Sequence, residues 1–289
     1  MKHGVILLDK SSGLSSNQAL QQVKHKFKTK KAGHTGSLDP LATGMLPICL
    51  GEATKFSQFL LNADKQYEVT AKLGVCTTTG DSEGEVLAEY SLPVLDIKTV
   101  ETVLENFIGS QQQLPPMYSA LKHNGKPLYQ YARQGVTIER ELRPITLYSI
   151  KLLALSDDNI SLQVHCSKGT YIRTLVEDIA KALNCGGAHV TALRRTRIGN
   201  WQSKQMQTLE ALQETSLLPI ETCVMHLPIA TITDLQAEFL WQGQAVTLCA
   251  DRPEPGLARI VAPLGFVGIG LCHANGQCQP KRLIRRSVK

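Results

Sequence analysis

The sequence predicts an α+β protein with a large first domain and a small β-rich one, on three observations. Strand-like and helix-like segments follow one another in mixed order, without the regular strand–helix–strand rhythm of a doubly wound sheet. The apolar content is 43% and charged residues make up 19%, which suffices for a core and argues against disorder. Beyond Leu227-Pro228 the pattern changes to short apolar runs separated by Gly, Pro and polar turns. A chain of 289 residues accommodates the two units, expected at 1–228 and 229–289.

Val5-Ile6-Leu7-Leu8 reads as a buried strand, ended by Gly13. Ser15 or Ser16 can cap the next helix, in which Leu20, Val23 and Phe27 recur at helical spacing. Lys24, Lys26, Lys28, Lys30 and Lys31 follow, either a solvated helix end or a ridge for phosphates. From Gly33 to Gly44 three glycines and a proline predict a loop, and a loop of that length between regular elements is a candidate site. Met45 to Leu50 reads as a strand and Ala53 to Leu61 as a short helix. Tyr67, Val69, Ala71 and Leu73 alternate with polar residues, the period of a half-buried strand. Thr77 to Gly84 is a polar turn. Val100, Val103, Leu104, Phe107 and Ile108 mark an amphipathic helix stopped by Gly109.

The stretch from about 114 to 135 mixes Tyr118, Tyr129 and Tyr131 with Lys122, His123, Lys126 and Arg133. Aromatic and basic groups together suit RNA bases and phosphates, although a surface excursion packed on its own tyrosines would read the same way. Ile160, Leu162, Val164 and Cys166 alternate as another strand, and a helix begins near Thr170 with Ile172, Leu175, Val176, Ile179 and Leu183 as its stripe. Gly186-Gly187 ends it. Leu193 to Arg197 is a basic cluster. The last module, with runs at Ala258–Val261 and Gly265–Cys272, closes on Lys281-Arg282 and Arg285-Arg286.

Composition narrows the function. A net charge of +6 allows a polyanionic partner without requiring one. The eight cysteines (Cys49, Cys76, Cys166, Cys185, Cys223, Cys249, Cys272, Cys278) include no C-x-x-C pair. They lend little to a zinc site and read as reduced packing residues of a cytosolic protein. The apolar run at the N-terminus is too short for a signal peptide, and nothing approaches the roughly 18 apolar residues of a membrane span. The expectation is a soluble, cytoplasmic protein. The loop from Gly33 to Gly44 lacks G-x-x-x-x-G-K-[ST] and a clean G-x-G-x-x-G, so phosphate cradling of those types is excluded. By itself Asp39 before Pro40 could be only a turn residue, and His34 is equally ambiguous.

Several segments together decide more. Gly4 to Lys10, Gly33 to Gly44, Gly51-Glu52-Ala53-Thr54-Lys55, Lys65-Gln66-Tyr67, Pro116 to Lys122, His165 to Arg173, Ala188-His189-Val190 and Leu193-Arg194-Arg195 closely resemble the TruB family of pseudouridine synthases, in the right order over about the first 200 residues. Two departures are Ser11, where the family usually has proline, and Gly186-Gly187, one residue longer than typical.

The resemblance implies a catalytic domain on a mixed, mostly antiparallel sheet flanked by helices, with a small C-terminal barrel of PUA type. It implies isomerisation of uridine 55 in the tRNA T-arm after base flipping, no cofactor, no metal and no obligate protein partner. Asp39 becomes the catalytic carboxylate, acting as nucleophile or as a base at the sugar. Arg173 would pair with it and keep it ionised, since a neighbouring guanidinium typically lowers a carboxylate pKa by about 1–3 units. Tyr67 would stack on the uracil and share in moving the C5 proton. Tyr171 and Leu193 would wall the base pocket, Asp81 would orient Arg173 and Tyr67, and His34 would hold the rearranged loop. A guide-dependent relative, an RNA-binding module and a hydrolase built on His34 and Asp39 are the other readings, in that order.

Overall fold

The computed structural model describes residues 2–248 and 252–285; Cys249 and Arg286 lie outside the described residues. Two sheets organise the chain. The strands of the first are β1 (Gly4–Lys10), β2 (Ala32–His34), β3 (Thr43–Leu50) and β4 (Lys65–Leu73). A side hairpin of β5 (Val75–Thr77) and β6 (Val86–Glu89) precedes β7 (Gly109–Gln113). A second hairpin, β8 (Lys122–His123) and β9 (Lys126–Pro127), turns through Asn124-Gly125 with both residues at positive φ. Asn-Gly is the pair best suited to that turn. Then come β10 (Arg143–Leu155), β11 (Asn159–Cys166), β12 (Ala188–Ile198) and the short β13 (Trp201–Gln202).

The large sheet runs β1-β3-β12-β4-β11-β10-β7, with β2 on β3 and β13 on β12. Every pairing is antiparallel except β3 with β12, so the sheet is mixed and mostly antiparallel, as expected. Its helices are α1 (Ser16–Lys26), α2 (Ser57–Leu61), α3 (Ile97–Glu105), α4 (Leu128–Ala132) and α5 (Ile172–Ala182). One core unites the apolar stripes of α1, α3 and α5 with Ile48, Val69, Leu162 and Val190 from the strands. Burying such side chains contributes roughly 1.5–3 kcal/mol each.

The C-terminal sheet has the order β14 (Ile229–Thr231), β16 (Gly256–Ala262), β17 (Gly265–Cys272), β18 (Gln277–Leu283), β15 (Val246–Thr247), with α6 (Asp234–Trp241) beside it. It is a five-stranded PUA-like half-barrel with its own core around Ile260 and Val267. It docks on the large sheet's second core: Phe266 meets Phe56 with ring centroids 5.6 Å apart, and Ile269 joins Val5 and Met45.

Four local expectations change. Ala32–His34 is a strand, because an edge ladder needs only free backbone groups and tolerates Gly33. The loop is therefore shorter than Gly33 to Gly44. The helix foreseen from Ala53 divides into a 3-10 turn, Gly51–Phe56, and α2. The lysine ridge leaves α1 at Lys26, and Lys28 turns left-handed at φ 48°, so Lys28, Lys30 and Lys31 are not helical. The basic cluster at Leu193–Arg197 is the end of β12, a central strand whose positions alternate between pocket and surface.

Candidate active site

The loop between β2 and β3 is fastened on several sides, and that leaves Asp39 in one place. Ser15 caps α1 through a reciprocal pair with Gln18, freeing Ser16 for another task. The buried Ser16 hydroxyl donates to the Leu38 carbonyl at 2.9 Å and accepts from the Leu38 N–H at 2.7 Å. Lys10, 1% exposed, donates to the carbonyls of Leu14 (2.6 Å), Ser11 (2.9 Å) and Pro40 (3.3 Å). Arg195, also 1% exposed, reaches the Gly36 carbonyl from Nη2 and the Met45 carbonyl from Nε, both at 2.7 Å. The loop thus closes on two cations that satisfy its inward carbonyls, as buried carbonyls require.

Arg173 stands in the first turn of α5, buried and fully committed. Its Nε lies 3.0 Å from Asp39 Oδ2 and 4.0 Å from Asp81 Oδ2. Nη1 donates to the Thr79 carbonyl and Nη2 to the Tyr118 carbonyl, each at 2.6 Å. Asp81 is buried as well and accepts from Thr79 Oγ1 and from the Glu83 N–H. Asp39, Tyr67, Tyr171, Arg173 and Leu193 converge on one cavity of about 300 Å³, walled also by Lys65, Ser119, Thr170 and Arg195. That volume is at the lower end for small-molecule sites. Asp81 stands behind Arg173, outside the cavity wall. His34 does not line the cavity either; at the end of β2 it pairs with Ile48 of β3, and its Nδ1 is buried without a hydrogen-bond partner among the described residues.

The electrostatics depart from expectation in one respect. Burial pushes the Asp39 carboxyl above its ordinary range; Arg173 and Lys10 pull it down and Asp81 pushes it up. Arg173 therefore offsets desolvation without overcoming it, whereas its charge alone would lower the pKa. Lys10 is pushed down to about 8, chiefly by burial, with Asp39 raising it in part. Tyr67 is pushed up by burial while the Arg195 guanidinium, bonded to its hydroxyl, pulls it down. The phenol thus enters the cavity as a protonated group at neutral pH.

The hydroxyl of Tyr67 belongs to Arg195 and the guanidinium of Arg173 neighbours Asp81, so two separate arginines hold the two halves of the site. Arg195 was missed in the sequence. Its signal was the period of two: Leu193 and Arg195 share a face of β12, and Arg195 pairs with Tyr67 across the ladder. Lys65 was missed similarly. It is 7% exposed, donates to the carbonyls of Leu61 and Ala63, and burial pushes it down to about 8.

The site thus combines a carboxylate, a buried arginine against it, and a cleft with tyrosine and leucine walls at the face of a mixed sheet. Comparison with known proteins gives the family. Residues 24–172 match the TruB family pseudouridylate synthase N-terminal domain, 173–225 the tRNA pseudouridylate synthase B C-terminal domain, and 228–284 the pseudouridine synthase II TruB C-terminal domain. The tRNA pseudouridine synthase B of Aeromonas salmonicida is 51% identical, over 98% of this chain and 94% of its own. That of Coxiella burnetii is 50% identical, over 98% and 95%. Among solved structures, a chain of a Cbf5-Nop10-Gar1 complex superposes with a TM-score of 0.73 at 26% identity, covering 99% of this chain and 84% of that one. A chain of an H/ACA RNP bound to a substrate RNA containing 2′-deoxyuridine shares the fold, with a TM-score of 0.74 at 24% identity over 98% and 86%. The chain belongs to the TruB family of pseudouridylate synthases, and its enzyme class is that of a pseudouridine-forming isomerase.

Proposed function

We propose that the chain converts uridine 55 in the T-arm of tRNA to pseudouridine, acting alone, with Asp39 as the carboxylate that works at C1′ of the flipped nucleotide. The observation that carries this reading is the Asp39–Arg173 pair at 3.0 Å inside a cleft walled by Tyr67, Tyr171 and Leu193. In the reaction the N1–C1′ bond breaks, the uracil turns, the C5–C1′ bond forms, and the C5 proton leaves while N1 gains one. The rearrangement is intramolecular and leaves the oxidation level unchanged. A carboxylate serves it as a nucleophile on C1′ or as a base at the sugar. Extrusion of the base costs a few kcal/mol. Stacking on Tyr67 returns roughly 1–3 kcal/mol, and the Leu193 and Tyr171 walls exclude water.

In this reading His34 sits at the root of the loop, where it can hold the loop once a base has entered, and Asp81 steadies Arg173 from behind. Residues 1–228 form the catalytic unit and 229–289 an RNA-binding module. The exposed Lys122, His123, Lys126 and Arg133 of the 114–135 segment grip the backbone. Action without partners rests on 51% identity to a protein named tRNA pseudouridine synthase B, against 24–26% to chains of the H/ACA and Cbf5 complexes. A cytoplasmic place follows from the substrate.

The test is tritium release from 5-tritiated uridine in a bare T-arm stem-loop. Wild type alone is expected to release it, and Asp39→Asn to release none while binding RNA with near-normal affinity. A near-normal rate for Asp39→Asn would remove the carboxylate from the chemistry. Silence from wild type on the bare stem-loop would point instead to guide-dependent action.

A further inference from the structure

Gln113 ends β7, the last strand before the 114–135 segment, and is 5% exposed although its strand is at the edge of the sheet. Its side-chain amide addresses the backbone of a single residue on another element. The Tyr171 N–H donates to Gln113 Oε1 at 2.8 Å, and Gln113 Nε2 donates to the Tyr171 carbonyl at 3.1 Å. This two-way clasp reproduces a step of a β-ladder and sets both the position and the orientation of residue 171.

Tyr171 is the residue on which α5 begins, with extended backbone at φ −97° and ψ 110° and no side-chain cap of its own. Its ring walls the cavity, and Arg173 follows two residues later against Asp39. The segment leaving Gln113 returns to the same helical turn, where the Tyr118 carbonyl accepts from Arg173 Nη2. One strand end therefore holds the start of α5 by its backbone, and the segment it launches holds α5's arginine by its guanidinium.

We propose that Gln113 is a positioning residue for the isomerisation, setting Tyr171 and Arg173 against Asp39 and tying the RNA-facing 114–135 segment to the catalytic helix. The inference rests on the function proposed above. Its energetic logic is that neutral hydrogen bonds contribute only modestly to net stability. Misplacing a reacting group by about 1 Å, by contrast, can cost on the order of 10²-fold in rate.

Gln113→Met keeps the side-chain length and removes the clasp. With the full-length variant and the T-arm stem-loop, kcat is expected to fall on the order of 10²-fold while KM stays within about threefold. The acid limb of the kcat profile should also move to higher pH. The groups facing Asp39 are Arg173 from α5, Lys10 from the end of β1, Asp81 and Glu83 from the turn before β6, and the phenols of Tyr67 and Tyr171. Of these, Arg173 is the one the clasp steadies, and slackening its hold removes a pull that favours the ionised carboxylate.

A folded Gln113→Met with wild-type kcat and acid limb overturns the proposal. So does a rise in KM alone, which would make Gln113 an RNA contact. If Gln113→Met does not fold at the assay temperature, Gln113→Asn retains the amide on a shorter stem. A folded, slowed Asn variant supports positioning; one with wild-type kcat, or one that also fails to fold, overturns it. Failure of wild type to release tritium is a separate outcome and strikes the proposed function instead.

Discussion

At the scale of the residue, Asp39 is held where ionisation is costly. Its carboxyl pKa is raised, so folding favours the neutral form, and the ionised form that the proposed chemistry requires is populated only above a pH higher than usual for a carboxylate. Two consequences have definite signs. Turnover should fall with an acid limb above the ordinary aspartate range, read from kcat against pH on the stem-loop. Asp39→Asn, which resembles the neutral acid, should melt at or above the wild-type temperature at neutral pH, and the gap should close as pH falls below the ordinary carboxylate range. A lower melting temperature for Asp39→Asn at neutral pH would contradict the direction of the shift. The loss of activity and the gain of stability then belong to the same charge, and because the Asp39 side chain keeps 40% of its surface in solvent the gain in melting temperature should be small.

At the scale of the element, the contact that matters most is the parallel pairing of β3 with β12, Arg194 with Thr43 and Arg195 with Gly44. It brings the base of the Asp39 loop against the strand that carries Leu193 and Arg195. Gly44 has φ +96°, and a Cβ there would come within 2.3 Å of the Arg195 carbonyl oxygen. The neighbour is backbone in the centre of a sheet, so it cannot rotate away. Gly44→Ala should therefore destabilise the protein by about 1–3 kcal/mol, the range for forced overpacking. It should also lower kcat, because the strand that parts from β3 is the one that holds Tyr67 through Arg195. Thermal melting together with single-turnover rates checks both, and an unshifted melt would show that the two strands part without cost.

At the scale of the whole molecule, exposed cations lie on separate parts of the chain: Lys26 at the end of α1 with Lys28, Lys30 and Lys31 after it, the β8–β9 hairpin, and Lys281, Arg282 and Arg285 at the end of the C-terminal sheet. If these surfaces hold RNA phosphates, affinity for a T-arm stem-loop must fall linearly in log-log with salt. About four phosphate contacts would cost on the order of 10²-fold between 50 and 200 mM. Filter binding across that range checks it; flat affinity would remove the basic surfaces from recognition. The docking of the C-terminal half-barrel through Phe56 and Phe266 joins its cations to the same body as the cleft.

The sequence by itself determined the α+β class, the alternating strand that presents Tyr67, the stripe of α5, the change of character near residue 228 and the set of family segments, because each is written in local period or in contiguous residues. Arg195 carries no such mark. Among three arginines in a row of four residues, only the register against β4 decides that Arg195 turns to Tyr67 while Arg194 pairs with Asp9. Nothing local in the sequence marks Lys10 and Lys65 as buried cations; the packing of their strands buries them. The clasp of Gln113 on Tyr171 spans 58 residues. The net rise of the Asp39 pKa sums desolvation with four charges or bonds from three distant segments. Such quantities depend on distances between elements, and only tertiary packing sets those distances.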